Sequence, residues 1–288
     1  MFNLKLFKIL LHFLAWFFAI TGVFIIQVVF GLKNIGNQQP VHASLYLEYL
    51  MLNLAWIIAL SFPISGLFSA SSAYISVLLD KSNRELCYSG KTARSRLTLF
   101  LAPAATLGAC IALVCLLTML FVVPNANSRI ISLVSIIKTG NVASTNNKTD
   151  RTMSIAQLMN QVNQLSLEST QADQEKKNEL TLKQNKLMVE VYKKFAIPLL
   201  GLLLPILGSI LALILSKLRS GQRMLLFLFD IAICLFSWLF LITGEVWGDR
   251  GALPPIVGMF LSPMLVAGII SALIKRCSEI LASPKACV

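Results

Sequence analysis

The residues best placed to do chemistry gather in a polar, basic island at 80–98, whose centre reads Arg84-Glu85-Leu86-Cys87-Tyr88-Ser89-Gly90. Lys81, Arg84, Lys91, Arg94 and Arg96 surround the Glu85 carboxylate. A short amphiphilic element of this kind makes charge-assisted contacts with a partner surface; the plainer reading is a solvated loop that only fixes orientation. Ser89-Gly90-Lys91-Thr92 has the tail of a phosphate-binding loop, but the glycine required five residues before Gly90 is Glu85, and a carboxylate there repels phosphate. His12 and His42 are the only histidines, too few for a zinc site with the usual ligands and too isolated for a histidine-based triad. The cysteines form no Cys-x-x-Cys pair. Asp230 is the only charge inside an apolar run, so the paired carboxylates of a proton-coupled carrier are missing; Arg223 is its expected partner. With no cluster of acid, base, nucleophile or metal ligands, the chain reads as non-enzymatic and free of cofactors.

The elements that must position this island are membrane helices. Hydrophobic residues make up 56% of the 288 and charged residues 13%, and mean hydropathy is +0.75; soluble domains carry about a quarter charged residues. Apolar runs long enough to cross about 30 Å of hydrocarbon at about 1.5 Å per residue predict spans near 9–32, 45–79, 97–124, 195–216, 224–244 and 254–274. The expected fold is an all-α membrane protein of six transmembrane helices, three on each side of a short polar periplasmic segment. The predicted parts are a first transmembrane half at 1–128 with a cytoplasmic loop at 80–96, the partly helical segment at 129–194, a second transmembrane half at 195–276 and a cytoplasmic tail at 277–288. These runs are continuous, unlike the short alternating strands of a membrane barrel. The first run is too long for a cleavable signal and is kept as a helix.

Charge sets the expected orientation. With both termini in the cytoplasm, the inner side holds Lys5, Lys8, the island, Lys217, Arg219, Arg223, Lys275, Arg276 and Lys285, and the short outer loops hold Lys33 and Arg250. Ten further bases lie in the long outer segment, but loops of that length translocate largely regardless of charge. All six cysteines then lie in spans or on the inner side, and no disulfide is expected.

Within the outer segment, Ser154-Ile155-Ala156-Gln157 has capping-box spacing, and Ile155, Leu158, Val162 and Leu165 recur at helical intervals. Residues 175–194 read two ways. Leu180 with Leu182, and Leu187 with Val189 and Val191, alternate as in a strand, whereas Leu180, Leu187 and Val191 share a helical face. Gly201, Pro205 and Gly208 in the fourth run fit a hinge or close helix packing, against the plainer reading that Gly and Pro are simply frequent in membrane helices.

Four stretches together resemble the LptF/LptG (YjgP/YjgQ) permeases of the lipopolysaccharide exporter. They are Asp80-Lys81-Ser82-Asn83-Arg84-Glu85-Leu86-x-x-Ser89-Gly90, Val123-Pro124-Asn125-Ala126-Asn127, Met153-Ser154-Ile155-Ala156-Gln157-Leu158 and Tyr192-Lys193-Lys194-Phe195-Ala196-Ile197-Pro198. The resemblance implies that Arg84, Glu85, Leu86, Ser89 and Gly90 belong to a coupling helix that docks in a groove of a cytoplasmic ABC ATPase (LptB-like). It also implies basic side chains meeting lipid phosphates at the cavity rim, where Lys33, Arg129, Lys193 and Lys194 stand, and gates at the first and fifth spans. Further implied partners are a second LptF/LptG-like permease, an LptC-like periplasmic bridge and the glycolipid itself, with no nucleic acid. The chain departs from the family in one respect. Members carry a periplasmic jelly roll of eight strands, and only about twenty-five residues remain here for strands of about five residues each. The expected function is the permease subunit of an ATP-driven (ABC-type) exporter in a bacterial inner membrane, extracting lipopolysaccharide or a related glycolipid. The alternative is a structural or assembly membrane protein that moves no lipid.

Overall fold

The computed structural model describes residues 2–35, 43–79, 92–139, 150–171, 173–216 and 222–282. Its helices are α1 (Phe2–Ile35), α2 (Ala43–Leu79), α3 (Ala93–Leu117), α4 (Val123–Thr139), α5 (Ile155–Gln171), α6 (Gln174–Leu215), α7 (Gln222–Asp249) and α8 (Pro255–Ala282). One π turn, Thr118–Val122, joins α3 to α4, and a 3-10 turn, Asp150–Thr152, precedes α5. The π turn has a local cause. The ring of Pro124 crowds the carbonyl four residues back in a regular helix, and the widened turn, closed by the Val123 N–H donating to the Thr118 carbonyl, takes up that crowding. No strand occurs among the described residues.

Six helical stretches are long and apolar enough to span a membrane, in agreement with the six predicted runs. Helix α6 is the axis of the bundle. Two-thirds of its most apolar window is buried (67%), against 17% for α1 and 22% for α7, and it packs on α2, α3, α5, α7 and α8. Its 42 residues reach about 63 Å at 1.5 Å per residue, roughly twice the hydrocarbon thickness. About twenty residues at its N-terminal end therefore stand clear of the bilayer, and α5 folds back on them.

This α5–α6 hairpin settles the ambiguous stretch as helix. Leu187 and Val191 are buried with Met153, Leu158 and Val162 in one apolar cluster, and Leu180 is buried on the same face. Leu182, which strand alternation would bury, is 41% exposed. The capping box forms as its spacing predicts: the Gln157 N–H donates to Ser154 Oγ at 3.3 Å and the Ser154 N–H to Gln157 Oε1 at 3.1 Å. Ser154→Ala is expected to cost about 1 kcal/mol. Hydrogen exchange checks this: the amides of the first turn of α5 should exchange about fivefold faster, with α6 unchanged.

Inside a bilayer, apolar burial does not drive helices together, and close packing of small residues takes its place. A Cβ added at Gly108 would lie 2.5 Å from the Leu202 carbonyl oxygen, and one at Gly208 would lie 2.6 Å from that of Leu67. Gly208 thus serves close packing of α6 on α2. Helices α7 and α8 come closest at Gly244 and Gly258, where each glycine faces the other's carbonyl. Hydroxyls tie the spans further: Ser69 Oγ donates to the Ile9 carbonyl at 2.6 Å, and Ser262 Oγ to that of Ser237 at 2.9 Å.

Candidate functional site

A cavity of about 410 Å³ lies between α1, α2, α6 and α7, in the half of the bundle nearest the hairpin. The helix patterns that bury α6 leave its walls oily: Phe24 and Val28 from α1, Trp56 and Leu60 from α2, Ile197 from α6, and Trp238 and Ile242 from α7. One turn further towards the hairpin the lining becomes charged, with Lys193, Glu245 and Arg151. Lys193 Nζ donates to Glu190 Oε1 at 3.1 Å and to Glu245 Oε1 at 2.5 Å. Arg151 reaches the same two oxygens, Nε to Glu190 at 3.5 Å and Nη2 to Glu245 at 3.6 Å. The Lys193 side chain is 6% exposed and that of Arg151 69%. Two carboxylates replace the hydration that this buried ammonium has lost. Just outside, burial and the neighbouring Glu190 push the Asp150 carboxyl above its usual range, with Lys186 and Arg151 opposing.

An oily chamber with a charged head suits an amphiphile, and the two helices flanking it are the least buried spans. Near the opposite end, α1 and α7 meet through Trp16 and Phe227, ring centroids 6.0 Å apart, with Phe68 at 4.8 Å and 5.6 Å bridging them. Towards the hairpin the cavity separates them. Their outward faces carry Phe18, Val23 and Phe30 on α1 and Leu235, Phe236 and Leu239 on α7, all more than half exposed.

The sequence-predicted residues fall in different places. Lys193 is at the head of the cavity. Lys194, adjacent but on another face of α6, is buried and donates to the Met153 carbonyl at 2.7 Å, fastening the start of the hairpin. Arg129 is exposed and paired with Glu48 at 2.7 Å, linking α4 to α2. Lys33 belongs to α1. Arg84, Glu85, Leu86, Ser89 and Gly90 lie outside the described residues. Arg151, Glu190 and Glu245 were missed by sequence reading. The usable signal was the i, i+3 pair of Glu190 with Lys193 and a carboxylate one residue past the predicted end of the fifth span.

One expected contact is corrected. Asp230 is buried but does not pair with Arg223: it accepts from Ser71 Oγ at 2.9 Å. Arg223 lines the same small cavity, about 230 Å³, without an ion pair to it. Ser71 on α2 packs directly against that turn of α7 and reaches the carboxylate, whereas Arg223, near the helix end, stays exposed.

The family model of the lipopolysaccharide export system permease LptF/LptG matches residues 134–276, from the end of α4 through most of α8. The chain belongs to the LptF/LptG permease family. It is a multi-pass inner-membrane protein of a family of permeases rather than enzymes. No curated protein matches it. The matched stretch of this LptF/LptG permease contains Arg151, Glu190, Lys193 and Glu245, and with them the charged head of the cavity. In place of a jelly roll, the described residues between the third and fourth spans are helical.

Proposed function

We propose that this LptF/LptG permease is the membrane subunit of an ATP-driven (ABC-type) exporter that extracts lipopolysaccharide or a related glycolipid from the inner membrane. The observation that carries the reading is the oily cavity between the two least buried spans, with Lys193 and Arg151 at its head. Acyl chains enter between α1 and α7, and the phosphorylated headgroup meets Lys193, with Lys33 and Arg129 as further bases towards the rim, while Lys194 fastens the hairpin. The hairpin end is then periplasmic and both termini are cytoplasmic, as the distribution of Lys and Arg favours. A second LptF/LptG-like permease covers the apolar outward faces of α1 and α7, and an LptC-like bridge receives the lipid beyond the hairpin.

The energy comes from a separate LptB-like ATPase. The coupling segment is Arg84, Glu85, Leu86, Ser89 and Gly90, and Glu85 makes a charge-assisted contact through which nucleotide-driven motion reaches the bundle. Glu85→Arg is expected to reduce lipid export at least tenfold, since a charge-assisted contact is replaced by like-charge repulsion among the bases around it. Membrane insertion should be unchanged. The check is ATP-dependent lipid release from spheroplasts, with protein level measured in parallel; normal export by this variant would remove the coupling role.

A further inference from the structure

The charged head of the cavity is electrically balanced, and a receptor for a bare phosphate has no use for that balance. Glu190 and Glu245 each bridge Lys193 and Arg151. Two bases thus face two acids. An anionic headgroup drawn to Lys193 would add negative charge to this neutral set and strip Glu245 of its base, leaving a carboxylate beside the incoming phosphate in an apolar-walled chamber. A headgroup carrying both signs avoids this, because each end replaces one half of an existing ion pair.

We infer that the headgroup this cavity selects is zwitterionic, a phosphate diester bearing a primary ammonium, with its phosphate on Lys193 and Arg151 and its ammonium on Glu245. The inference rests on the proposed role of the cavity as the seat of the exported lipid, and it narrows the substrate class. A primary ammonium donates hydrogen bonds to the Glu245 carboxylate, which a quaternary choline cannot do. Two lipids supply this chemistry: phosphatidylethanolamine itself, or a glycolipid decorated with phosphoethanolamine.

The protein holds its own probe. Trp56 and Trp238 line the cavity, and the other two tryptophans are Trp16 and Trp247. The full chain carrying Trp16→Phe and Trp247→Phe, in mild detergent, is titrated with phospholipids brominated on their acyl chains, and tryptophan quenching is followed. Phosphatidylethanolamine should reach half-quenching at about a tenfold lower mole fraction than phosphatidylglycerol or phosphatidylcholine, the effect of one ion pair kept rather than lost. Glu245→Gln should erase that preference and Glu245→Asp should keep it. If the Gln variant does not fold, the comparison of headgroups on the parent protein still decides.

Equal quenching by all three lipids, or a preference for phosphatidylglycerol, overturns the zwitterion and leaves the exporter reading standing. Absence of any saturable quenching overturns both. Competition by unlabelled lipid A separates the sources. Displacement only by the phosphoethanolamine-decorated form supports the glycolipid as ligand; displacement by neither form, with phosphatidylethanolamine still bound, supports the phospholipid.

Discussion

Replacing Lys193 with methionine is expected to destabilise the hairpin end by about 3–5 kcal/mol, the cost of removing one partner from a buried ion pair. The geometry gives the reason. Glu190 and Glu245 are 14% and 21% exposed, and both lean on one ammonium at 3.1 Å and 2.5 Å. Without it they face each other, with only the exposed Arg151 at 3.5–3.6 Å in support. A protein of this size should then melt about 10 °C lower in detergent. The triple variant Lys193→Met, Glu190→Gln, Glu245→Gln removes the orphaned charges with the base, and most of the lost stability should return. Differential scanning fluorimetry of the two variants checks this. A Lys193→Met protein that melts with the parent would mean that the network contributes no stability.

The second large effect is steric. Gly244→Leu should abolish the folded protein, and Gly258→Leu should do nearly as much. A Cβ at Gly244 collides with the Gly258 carbonyl, and one at Gly258 would sit 2.5 Å from the Gly244 carbonyl oxygen. Both obstacles are backbone, so α7 and α8 must part rather than repack. Parting also breaks the Ser262–Ser237 hydrogen bond two turns away along α7. Overpacking a filled core costs about 1–3 kcal/mol where side chains can yield, and more where they cannot. Gly268, also on α8, has nothing within 4 Å of its added Cβ, so Gly268→Leu is the matched control. Size-exclusion profiles in mild detergent should show Gly244→Leu lost from the monodisperse peak and Gly268→Leu retained. Survival of Gly244→Leu would contradict the close crossing of α7 and α8.

The spans were legible because hydrocarbon thickness imposes a long charge-free run, a constraint written residue by residue. The α5 cap was legible for the same local reason: Ser154 and Gln157 need only each other. Residues 175–194 were not, because Leu180, Leu187 and Val191 satisfy both periods, and only the packing of α5 against them chooses helix. Of the candidate site, Lys193 was found as a base entering the fourth span. Its partners were hidden, because Glu245 lies 52 residues along the chain and just past the predicted span end at Gly244. Nothing in the sequence brings Arg151 to them; the turn before α5 does that. Asp230 shows the same limit in reverse. Arg223 was a reasonable partner by helical spacing, yet the contact comes from Ser71, 159 residues away on α2. Three of the basic residues expected at the rim look alike in sequence, and the fold gives them different neighbours: a cavity for Lys193, a backbone carbonyl for Lys194 and a glutamate for Arg129.

In the proposed mechanism, lipid export by this permease requires an ATPase and a second permease. The deciding measurement is purification of the tagged full-length protein from native membranes in mild detergent, with mass spectrometry of everything retained. The account predicts recovery of a soluble ABC ATPase, a second LptF/LptG-like permease and a phosphate-bearing lipid. Recovery of the protein alone or with envelope-assembly factors, from a preparation that keeps other ATPase complexes intact, would contradict it.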